Sequence, residues 1–281
     1  MKLSNFLNIF GFQDDKNKFK LPRGYYLLKE YKDFGIDSFE RDWNIGESHG
    51  DQTQDAQILN CYFQHFSELP NSLKSTIRVE NGELKLGVRY EPATVDNIPL
   101  LFKAGKIESK QKFKYGIIQV TAKLPNTKYL WPAIWFCGTQ SWPPEIDLME
   151  AYNNGHVQYA SSNNIICQPN IHYLENGKHK AVFPGNKYVE HPDERYVTYT
   201  LHWEEDFVRF YYDDYLVFEC TDKKILDQMN QPMSLILNNA VEADIKLSQK
   251  DIDRLRNGDN WFYIKNIKYY DKKRVVNKYT L

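Results

Sequence analysis

The sequence predicts an all-β fold, and three observations support this prediction. Short runs rich in β-branched and aromatic residues recur along the 281 residues, separated by turn residues. Two of the separations, Asn81-Gly82 and Asp213-Asp214, have the length and composition of hairpin turns. Helix signals are few, the clearest being Ser248 with Asp251 three residues later, which predicts a capped short helix. Many short strands with little helix indicate a sandwich or a barrel.

The predicted strands follow one another along the whole chain. In order, they span 75–79, 83–90, 112–124, 129–136, 146–151, 197–203, 207–212, 215–220, 233–241 and 261–270. No internal repeat, low-complexity linker or shift in composition divides them. We therefore predict an N-terminal extension over 1–20 followed by a single β-sandwich domain over 21–281.

Composition and charge limit the classes of partner that we expect this protein to bind. The net charge is −1, which gives no electrostatic footprint for nucleic acid or for an anionic membrane surface. No apolar stretch approaches the length of a membrane span. Aromatic residues make up 15% of the chain, a share that favours strands and also stacking platforms for sugars. We expect a monomer that binds neither nucleic acid nor membranes.

The cysteines and the N-terminus carry weaker signals. Four widely spaced cysteines form no CxxC pair, so we predict neither a metal site nor a redox motif. Cys137 and Cys220 lie in apolar runs and are interpreted as buried thiols.

The apolar start of the chain is interrupted by Asn8 and Gly11, and no cleavage site follows. We interpret it as a short docking segment or helix rather than a signal peptide, which leaves the compartment open between the cytoplasm and release by lysis from a phage-infected cell.

The most informative segment of the sequence is the run from Ser141 to Tyr152, which contains Glu145, Asp147 and Glu150. Residues i and i+2 of a strand share a face, so Glu145 and Asp147 point the same way. In a regular strand Glu150 would point to the opposite face. A β-bulge between Asp147 and Glu150 would restore the alternation and align all three carboxylates.

Two interpretations of this row remain open on the residues alone. One is a strand with a solvated acidic face, although aligned like charges are destabilising there. The other is glycoside hydrolysis, in which one carboxylate attacks the sugar and a second protonates the leaving oxygen. The middle carboxylate would then shift the pKa values of its neighbours.

The segment from Glu145 to Glu150, Glu-Ile-Asp-Leu-Met-Glu, resembles the ExDxxE signature of glycoside hydrolase family 16, the laminarinase, agarase, porphyranase and carrageenase group. The resemblance runs from about Tyr25 to Tyr270. Its other matching stretches are an entry strand at 37–43, a hairpin around 105–125, the Trp-Pro-Ala segment at 130–135, the strand at 196–203 and a late core strand at 235–238.

The resemblance implies a concanavalin-like jelly-roll sandwich of two antiparallel sheets, with a substrate cleft along the concave face. It implies that Glu145 is the nucleophile, Glu150 the general acid/base and Asp147 an assisting carboxylate. The activity implied is endo-acting, retaining hydrolysis of internal β-linkages in a polysaccharide, either a β-1,3/1,4-glucan or an algal-type β-galactan. No cofactor is implied. The alternatives are a transglycosylase on the same fold and a non-hydrolytic carbohydrate-binding protein for phage host recognition.

Several further residues are candidates for substrate binding. Trp131 and Trp142 are the best stacking candidates, since an exposed indole offers an apolar face to a sugar ring. Trp135 lies between Ile134 and Phe136, which favours a core position. His172 either lines the leaving-group side or is a structural histidine. The remaining candidates are Asn153, Asn154, Glu108 and Lys106, the last standing where many laminarinase-like members have Arg.

The last predicted strand bears on metal binding. Many family members carry a calcium ligand, an Asp, where this chain has Lys265. An ammonium group repels a divalent cation and has no lone pair for it, so we predict that the structural calcium common in the family is absent. Lys265 itself is expected to pair with Glu30 or Asp33.

Overall fold

The computed structural model describes residues 18–46, 60–152, 164–242, 246–258 and 260–272. Over these residues the chain forms a ten-stranded and an eight-stranded sheet, whose pairings are antiparallel except for one parallel pair. Neither sheet closes on itself along its described strands. The prediction of an all-β sandwich is confirmed, and the barrel that the residues alone left open is not what forms.

Each sheet combines runs of consecutive strands with strands distant in sequence. The ten-stranded sheet contains β1 (Tyr25–Tyr31), β3 (Cys61–Phe63), β4 (Ile77–Glu80), β5 (Glu83–Val95), β6 (Ile98–Ala104), β8 (Gly116–Lys123), β14 (Val197–Trp203), β15 (Val208–Tyr212), β16 (Tyr215–Cys220) and β18 (Trp261–Lys272). The eight-stranded sheet contains β2 (Trp43–Ile45), β7 (Lys106–Phe113), β9 (Ala133–Gly138), β10 (Glu145–Tyr152), β11 (Asn164–Glu175), β12 (Lys178–Val182), β13 (Lys187–Glu190) and β17 (Met233–Asn238).

The described part of the chain also contains three short helices. They are α1 (Ile36–Asp42), α2 (Lys223–Leu226) and α3 (Gln249–Asn257). The predicted capping pair begins α3, because the Ser248 hydroxyl accepts the Asp251 N–H and the Asp251 carboxylate accepts the Ser248 N–H. None of the helices in these ranges is long and apolar enough to cross a bilayer.

The core lies between the two sheets. From β10 it contains Ile146 and Leu148, and from β14 Tyr199 and Leu201, all fully buried. Burial of each such aliphatic side chain contributes about 1.5–3 kcal/mol. The Tyr212 hydroxyl of β15 reaches across this core and donates to the Leu148 backbone oxygen of β10 at 3.0 Å. The inner face of β10 is thereby fixed, and its alternate residues are directed to the outer face of the eight-stranded sheet, the face turned away from the core.

Both predicted hairpins are confirmed. Asn81 (φ 54°) and Gly82 (φ 76°) connect β4 to β5, and Asp213 (φ 46°) and Asp214 (φ 68°) connect β15 to β16. Two successive positive φ values match the right-handed twist of the flanking strands. All four cysteines are buried free thiols, as predicted for Cys137 and Cys220.

Two predicted elements are wrong. The strand predicted over 112–124 is two strands in different sheets, because the chain turns at Tyr115 (φ 65°) and Gly116 (φ 97°). A Cβ on Gly116 would lie 2.6 Å from the Tyr270 backbone oxygen, so the turn requires glycine. The entry strand predicted at 37–43 is mostly α1, which buries Phe39, and only Trp43 begins a strand. One apolar residue per turn suits a short surface helix better than the alternation of a strand.

The N-terminal end of the described chain bears on the predicted N-terminal extension. Residues 1–17 lie outside the described ranges, but Lys18 bridges Tyr215, and the Phe19 N–H donates to the Asp214 oxygen at 2.6 Å. The last residues of the predicted extension therefore contact the ten-stranded sheet.

The pairing predicted for Lys265 is wrong. Glu30 is paired in register with Lys268 of β18, at 3.8 Å between Nζ and Oε1, whereas Lys265 lies 5.3 Å from the centre of the Tyr196 ring. The bulges in β18 and β1 set a register that directs Lys268, three residues further on, toward the acid. The absence of calcium stays a prediction.

Candidate active site

The site is organised by a β-bulge in β10. The pairing of β10 with β11 shifts between Asp147 and Glu150, and its pairing with β9 shifts between Asp147 and Met149. The predicted bulge is thereby confirmed. Opposite Glu145, Asp147 and Glu150 stand every second residue of β9, namely Cys137, Trp135 and Ala133. The three carboxylates therefore lie along one row on the outer face, while the residues between them enter the core.

On the strands beside β10, polar residues stand in register with the carboxylates. In register with Glu145 stand His172 of β11, Cys137 of β9 and, beyond it, Ser234 of β17. In register with Asp147 stand Asn170 and Trp135. The outer face therefore presents hydrogen-bonding groups on both sides of the carboxylates.

Burial and mutual repulsion control the charge of Glu145 and Asp147. Asp147 is 2% exposed, and its burial together with the charge of Glu150 holds its pKa well above the usual range. Burial and the charge of Asp147 likewise hold the pKa of Glu145 well above its usual range. The two side chains hydrogen-bond each other, so one proton shared between them relieves the repulsion.

Each of the two glutamates receives an indole N–H. Trp142 donates to Glu145 Oε2 at 2.7 Å, and Trp131 donates to Glu150 Oε1 at 3.2 Å. Trp142 is 54% exposed, in a loop that contains cis peptide bonds at Trp142-Pro143 and Pro143-Pro144. Trp131 is half-buried. Both predicted stacking candidates thus contact the carboxylate row, where their rings orient the glutamates and line the outer face.

His172 contacts the carboxylates directly. Its Nε2 lies 3.1 Å from Asp147 Oδ2 and 3.7 Å from Glu145 Oε1. Its Nδ1 lies 2.7 Å from Nε2 of His179 on β12, and the two rings stack with centroids 5.0 Å apart. Of the two interpretations of His172, the site position is the one found in the structure.

Trp135 is not a core residue, although its neighbours favoured that interpretation. It is half-buried on the outer face, where its indole donates to Asn238 Oδ1 at 2.7 Å. Ile134 and Phe136 take the core positions on either side. The correction follows from strand alternation, because flanking apolar residues in a strand place the residue between them on the other face.

Lys106 and Glu108 lie on the same face but are almost fully buried, with exposed fractions of 2% and 1%. The Lys106 ammonium lies 4.7 Å from the centre of the Phe63 ring and 5.8 Å from that of Trp135. Glu108 accepts a hydrogen bond from Lys112 at 2.9 Å. These two residues form the floor beside Trp135, and their contact with substrate stays a prediction. Asn153 and Asn154 lie outside the described residues.

Sequence reasoning missed the polar residues that cross-strand pairing brings to the site. They are Cys137, Gln168, Asn170, His179 and Ser234. A signal for some of them exists in β11, where polar residues recur at every second position from Gln168 to His172. His179 has no such signal, because its position depends on the β11–β12 hairpin register.

The only cluster in the described ranges that offers three close metal-ligand atoms is part of this site. Single atoms of Glu145, Asp147 and His172 lie within 4.8 Å of one another. The three side chains also contact one another or their neighbours, through the Glu145–Asp147 hydrogen bond and the His172–His179 contact. The arrangement suits proton transfer among these groups.

Comparisons with known proteins point to one family. The model for "Glycosyl hydrolases family 16" matches residues 67–256. The chain is 24% identical over 247 residues to "Glucan endo-1,3-beta-glucosidase A1" of Niallia circulans, covering 81% of this chain and 32% of that protein. It is 30% identical over 145 residues to "Keratan-sulfate endo-1,4-beta-galactosidase" of Sphingobacterium multivorum, covering 47% of this chain and 32% of that protein. The chain thus spans about a third of the length of these relatives.

Solved structures share the fold. The crystal structure of SCLam, a non-specific endo-beta-1,3(4)-glucanase from family GH16, superposes with a TM-score of 0.70 at 21% identity, covering 91% of this chain and 94% of that one. This likeness confirms the jelly-roll sandwich predicted from the resemblance.

Proposed function

Because the chain belongs to the glycosyl hydrolases of family 16, we propose that it is an endo-acting, retaining β-glycosidase that hydrolyses internal linkages of a polysaccharide by double displacement. The observation that carries the proposal is the bulge in β10, which aligns Glu145, Asp147 and Glu150 on one outer face. A surface strand gains nothing from three aligned carboxylates, whereas retaining hydrolysis needs two of them about 5–5.5 Å apart.

Glu145 is the proposed nucleophile. The Trp142 indole donates to its Oε2 at 2.7 Å and orients the carboxylate for attack on the anomeric carbon, while His172 Nε2 lies 3.7 Å from its Oε1. The attack forms a covalent glycosyl-enzyme and requires the ionised form of Glu145. Asp147 supports that form by holding the proton that the two buried carboxyl groups share.

Glu150 is the proposed general acid/base. It protonates the leaving oxygen in the first step and deprotonates the attacking water in the second. The Trp131 N–H, at 3.2 Å from Oε1, orients its carboxyl group. When Glu145 is consumed as the ester, one negative charge leaves the row, which favours the ionised form of Glu150 that the first step leaves and the second step needs as a base.

The proposed substrate is a neutral β-linked polysaccharide, with β-1,3- and mixed-linkage glucans first and β-galactans second. The relatives' names point to both sugar classes, one to an endo-1,3-β-glucosidase and one to an endo-1,4-β-galactosidase. Exposed Trp142 and half-buried Trp131 and Trp135 supply apolar surfaces for sugar rings along the outer face.

The test is release of reducing ends from a panel containing laminarin, mixed-linkage β-glucan, agarose and keratan sulfate, with Glu145→Gln as the matched inactive control. We expect wild-type release from at least one polymer, and a first product of retained β-configuration by proton NMR. Addition of an oligosaccharide acceptor separates hydrolysis from transglycosylation. Binding without release from any polymer would contradict the proposal and favour a carbohydrate-binding protein; an α-anomer as first product would contradict the retaining mechanism.

A further inference from the structure

Three side chains of the outer face bring metal-ligand atoms close together. Single atoms of Glu145, Asp147 and His172 lie within 4.8 Å of one another, the one such group of three in the described part of the chain. His172 Nε2 lies 3.1 Å from Asp147 Oδ2 and 3.7 Å from Glu145 Oε1. Two ligands of a tetrahedral zinc ion, each about 2.0–2.1 Å from the metal, are about 3.4 Å apart. The spacing of the three atoms therefore suits one face of a zinc tetrahedron.

The most deeply buried of these atoms is Asp147 Oδ2. Asp147 is 2% exposed, and no hydrogen bond reaches its Oδ2 from the described residues. The atom is directed into the cluster, 3.1 Å from His172 Nε2. A buried carboxylate oxygen without a donor is unfavourable, because folding removes its hydration without replacement. Independently of the spacing, this oxygen therefore indicates a place for a positively charged ligand.

His172 presents a lone pair to the same place. Asn170 Nδ2 lies 3.1 Å from His172 Nε2, and Asn170 Oδ1 accepts the Ile171 N–H at 2.9 Å, which directs the amide hydrogens toward the ring. On the other side of the ring, His172 Nδ1 lies 2.7 Å from His179 Nε2. A neutral imidazole with its hydrogen on Nδ1 fits both contacts, and this form binds metals through Nε2. Metal-binding histidines commonly donate their other N–H to a neighbouring acceptor, which is the position of His179.

We propose that Glu145, Asp147 and His172 form an inhibitory binding site for a divalent transition cation, with zinc as the preferred ion. Each residue supplies one atom, which leaves a fourth position of the tetrahedron for water. One imidazole nitrogen and two carboxylate oxygens suit zinc or copper. Calcium is disfavoured, because it takes six to eight oxygen ligands at longer distances. The ion would displace the Asn170 amide from the lone pair of Nε2.

Inhibition follows from the role of Glu145, so this part of the inference rests on the proposed function. The Trp142 indole binds Oε2 of Glu145, and the other oxygen, Oε1, is the one that faces His172. A metal ion on Oε1 withdraws the electron pair that attack on the anomeric carbon requires. The Glu145 and His172 side chains are 15% and 18% exposed, so an ion can reach them from the outer face. Zinc and polysaccharide would therefore compete for one carboxylate.

The first test is calorimetric titration of the full chain with zinc chloride, which needs no substrate. We expect one ion per chain, and the visible absorption of tetrahedral cobalt when cobalt(II) replaces zinc. Glu145→Gln and His172→Gln, on different strands, should each weaken zinc binding at least about tenfold. Glu150→Gln is the matched control, since it removes an acid of the same row that is not a ligand, and should bind zinc within about threefold of the wild type. Absence of zinc binding in the wild type, or equal losses in Glu150→Gln and Glu145→Gln, would overturn the proposal.

The second test measures hydrolysis of the best polymer of the panel in the presence of zinc. Zinc should raise KM with little change in kcat, and a chelator should restore the original rate. Magnesium and calcium at the same concentration serve as controls and should leave the rate unchanged. Zinc binding without any loss of hydrolysis would overturn the inhibitory role. If the panel shows no hydrolysis at all, the proposed function fails, while the titrations still decide whether the three side chains bind zinc.

Discussion

At the scale of single residues, the outer carboxylates of the row differ from the middle one in what surrounds them. Glu145 and Glu150 each receive an indole N–H, whereas Asp147 is almost fully buried beside His172. The outer pair is therefore oriented toward the open face, and the middle group is placed to exchange a proton. This division of roles leads to two predictions, one chemical and one thermodynamic.

The first prediction concerns the nucleophile. Glu145→Ala should lower kcat by at least about a thousandfold on an activated β-glycoside, because it removes a group that bonds to the anomeric carbon. Azide should restore turnover and give an α-glycosyl azide, since the small anion occupies the emptied space and attacks once. Glu150→Ala serves as the control, where azide should give a β-glycosyl azide by attack on the glycosyl-enzyme. A β-product from the Glu145 variant would contradict the assignment.

The second prediction concerns stability and pH. The pKa of Asp147 is raised in the folded state, so above the unfolded value of about 3.9 the folded protein retains a proton that the unfolded chain has lost. Its contribution to stability therefore falls as pH rises through that value. Asp147→Asn removes this titration. We expect the free energy of unfolding of the variant to match that of the wild type near pH 3 and to exceed it near pH 7.5.

The measurement is the free energy of unfolding in urea at both pH values. A difference between Asp147→Asn and wild type that does not change with pH would show that repulsion in the row is not what limits stability. Asp147→Asn should also lose most of its activity, because an amide cannot take over the shared proton.

At the scale of elements, the bulge in β10 depends on the opposite sheet. The Leu148 carbonyl lies within the bulge, between the shifted pairings with β9 and β11, and Tyr212 of β15 donates to it across the core. Tyr212 is 5% exposed, so solvent offers that carbonyl little alternative. The row of carboxylates is thus held in part by a strand of the other sheet.

The third prediction follows from this contact. Tyr212→Phe keeps the ring but leaves the Leu148 carbonyl without this donor, which should destabilise the fold by about 1–3 kcal/mol. Activity should fall more than Tm alone explains, because the bulge sets the spacing between Asp147 and Glu150. Tyr211→Phe, one residue away on β15, is the matched control and should change little. Equal losses of activity in the two variants would contradict a specific role for Tyr212.

Some of the elements could be predicted from the sequence because local interactions determine them, and others could not. The hairpins at Asn81-Gly82 and Asp213-Asp214 were predictable because turn chemistry is local. The bulge was predictable because three acids at this spacing have no other way to share a face. The strands β11 to β13 were mostly missed because their sequences are rich in polar residues and show little apolar alternation, and His179 and Asn170 were missed with them. Trp135 was misassigned because its neighbours were judged by hydrophobicity rather than by alternation.

At the scale of the whole molecule, the two sheets have different roles. The ten-stranded sheet supplies one side of the core and carries the contact with Lys18 and Phe19, while the outer face of the eight-stranded sheet carries the carboxylates. The polar rows on that face cross strands β7, β17, β9, β10 and β11, which supports the proposed binding of an extended polymer on either side of β10. Endo-action is consistent with such a face.

The fourth prediction is that no structural calcium stabilises this sandwich. Lys265 stands where many family members place an acidic ligand, and its ammonium lies against the Tyr196 ring. A bound ion would raise Tm in proportion to its occupancy. We expect the Tm in 5 mM calcium and in 5 mM chelator to agree within about 1 °C. A difference of several degrees would show that an ion binds in spite of Lys265.

The hydroxyl of Tyr212 also has a consequence for transplantation of the site. A protein engineer who grafted only the β10 segment onto another two-sheet scaffold would transfer the acids but not the donor that accommodates the bulge. The host strand would then tend to relax into regular pleating, and Glu150 would turn inward. The smallest portable unit of this chemistry is therefore discontinuous: the acidic strand together with one tyrosine sixty-four positions later, on the facing sheet.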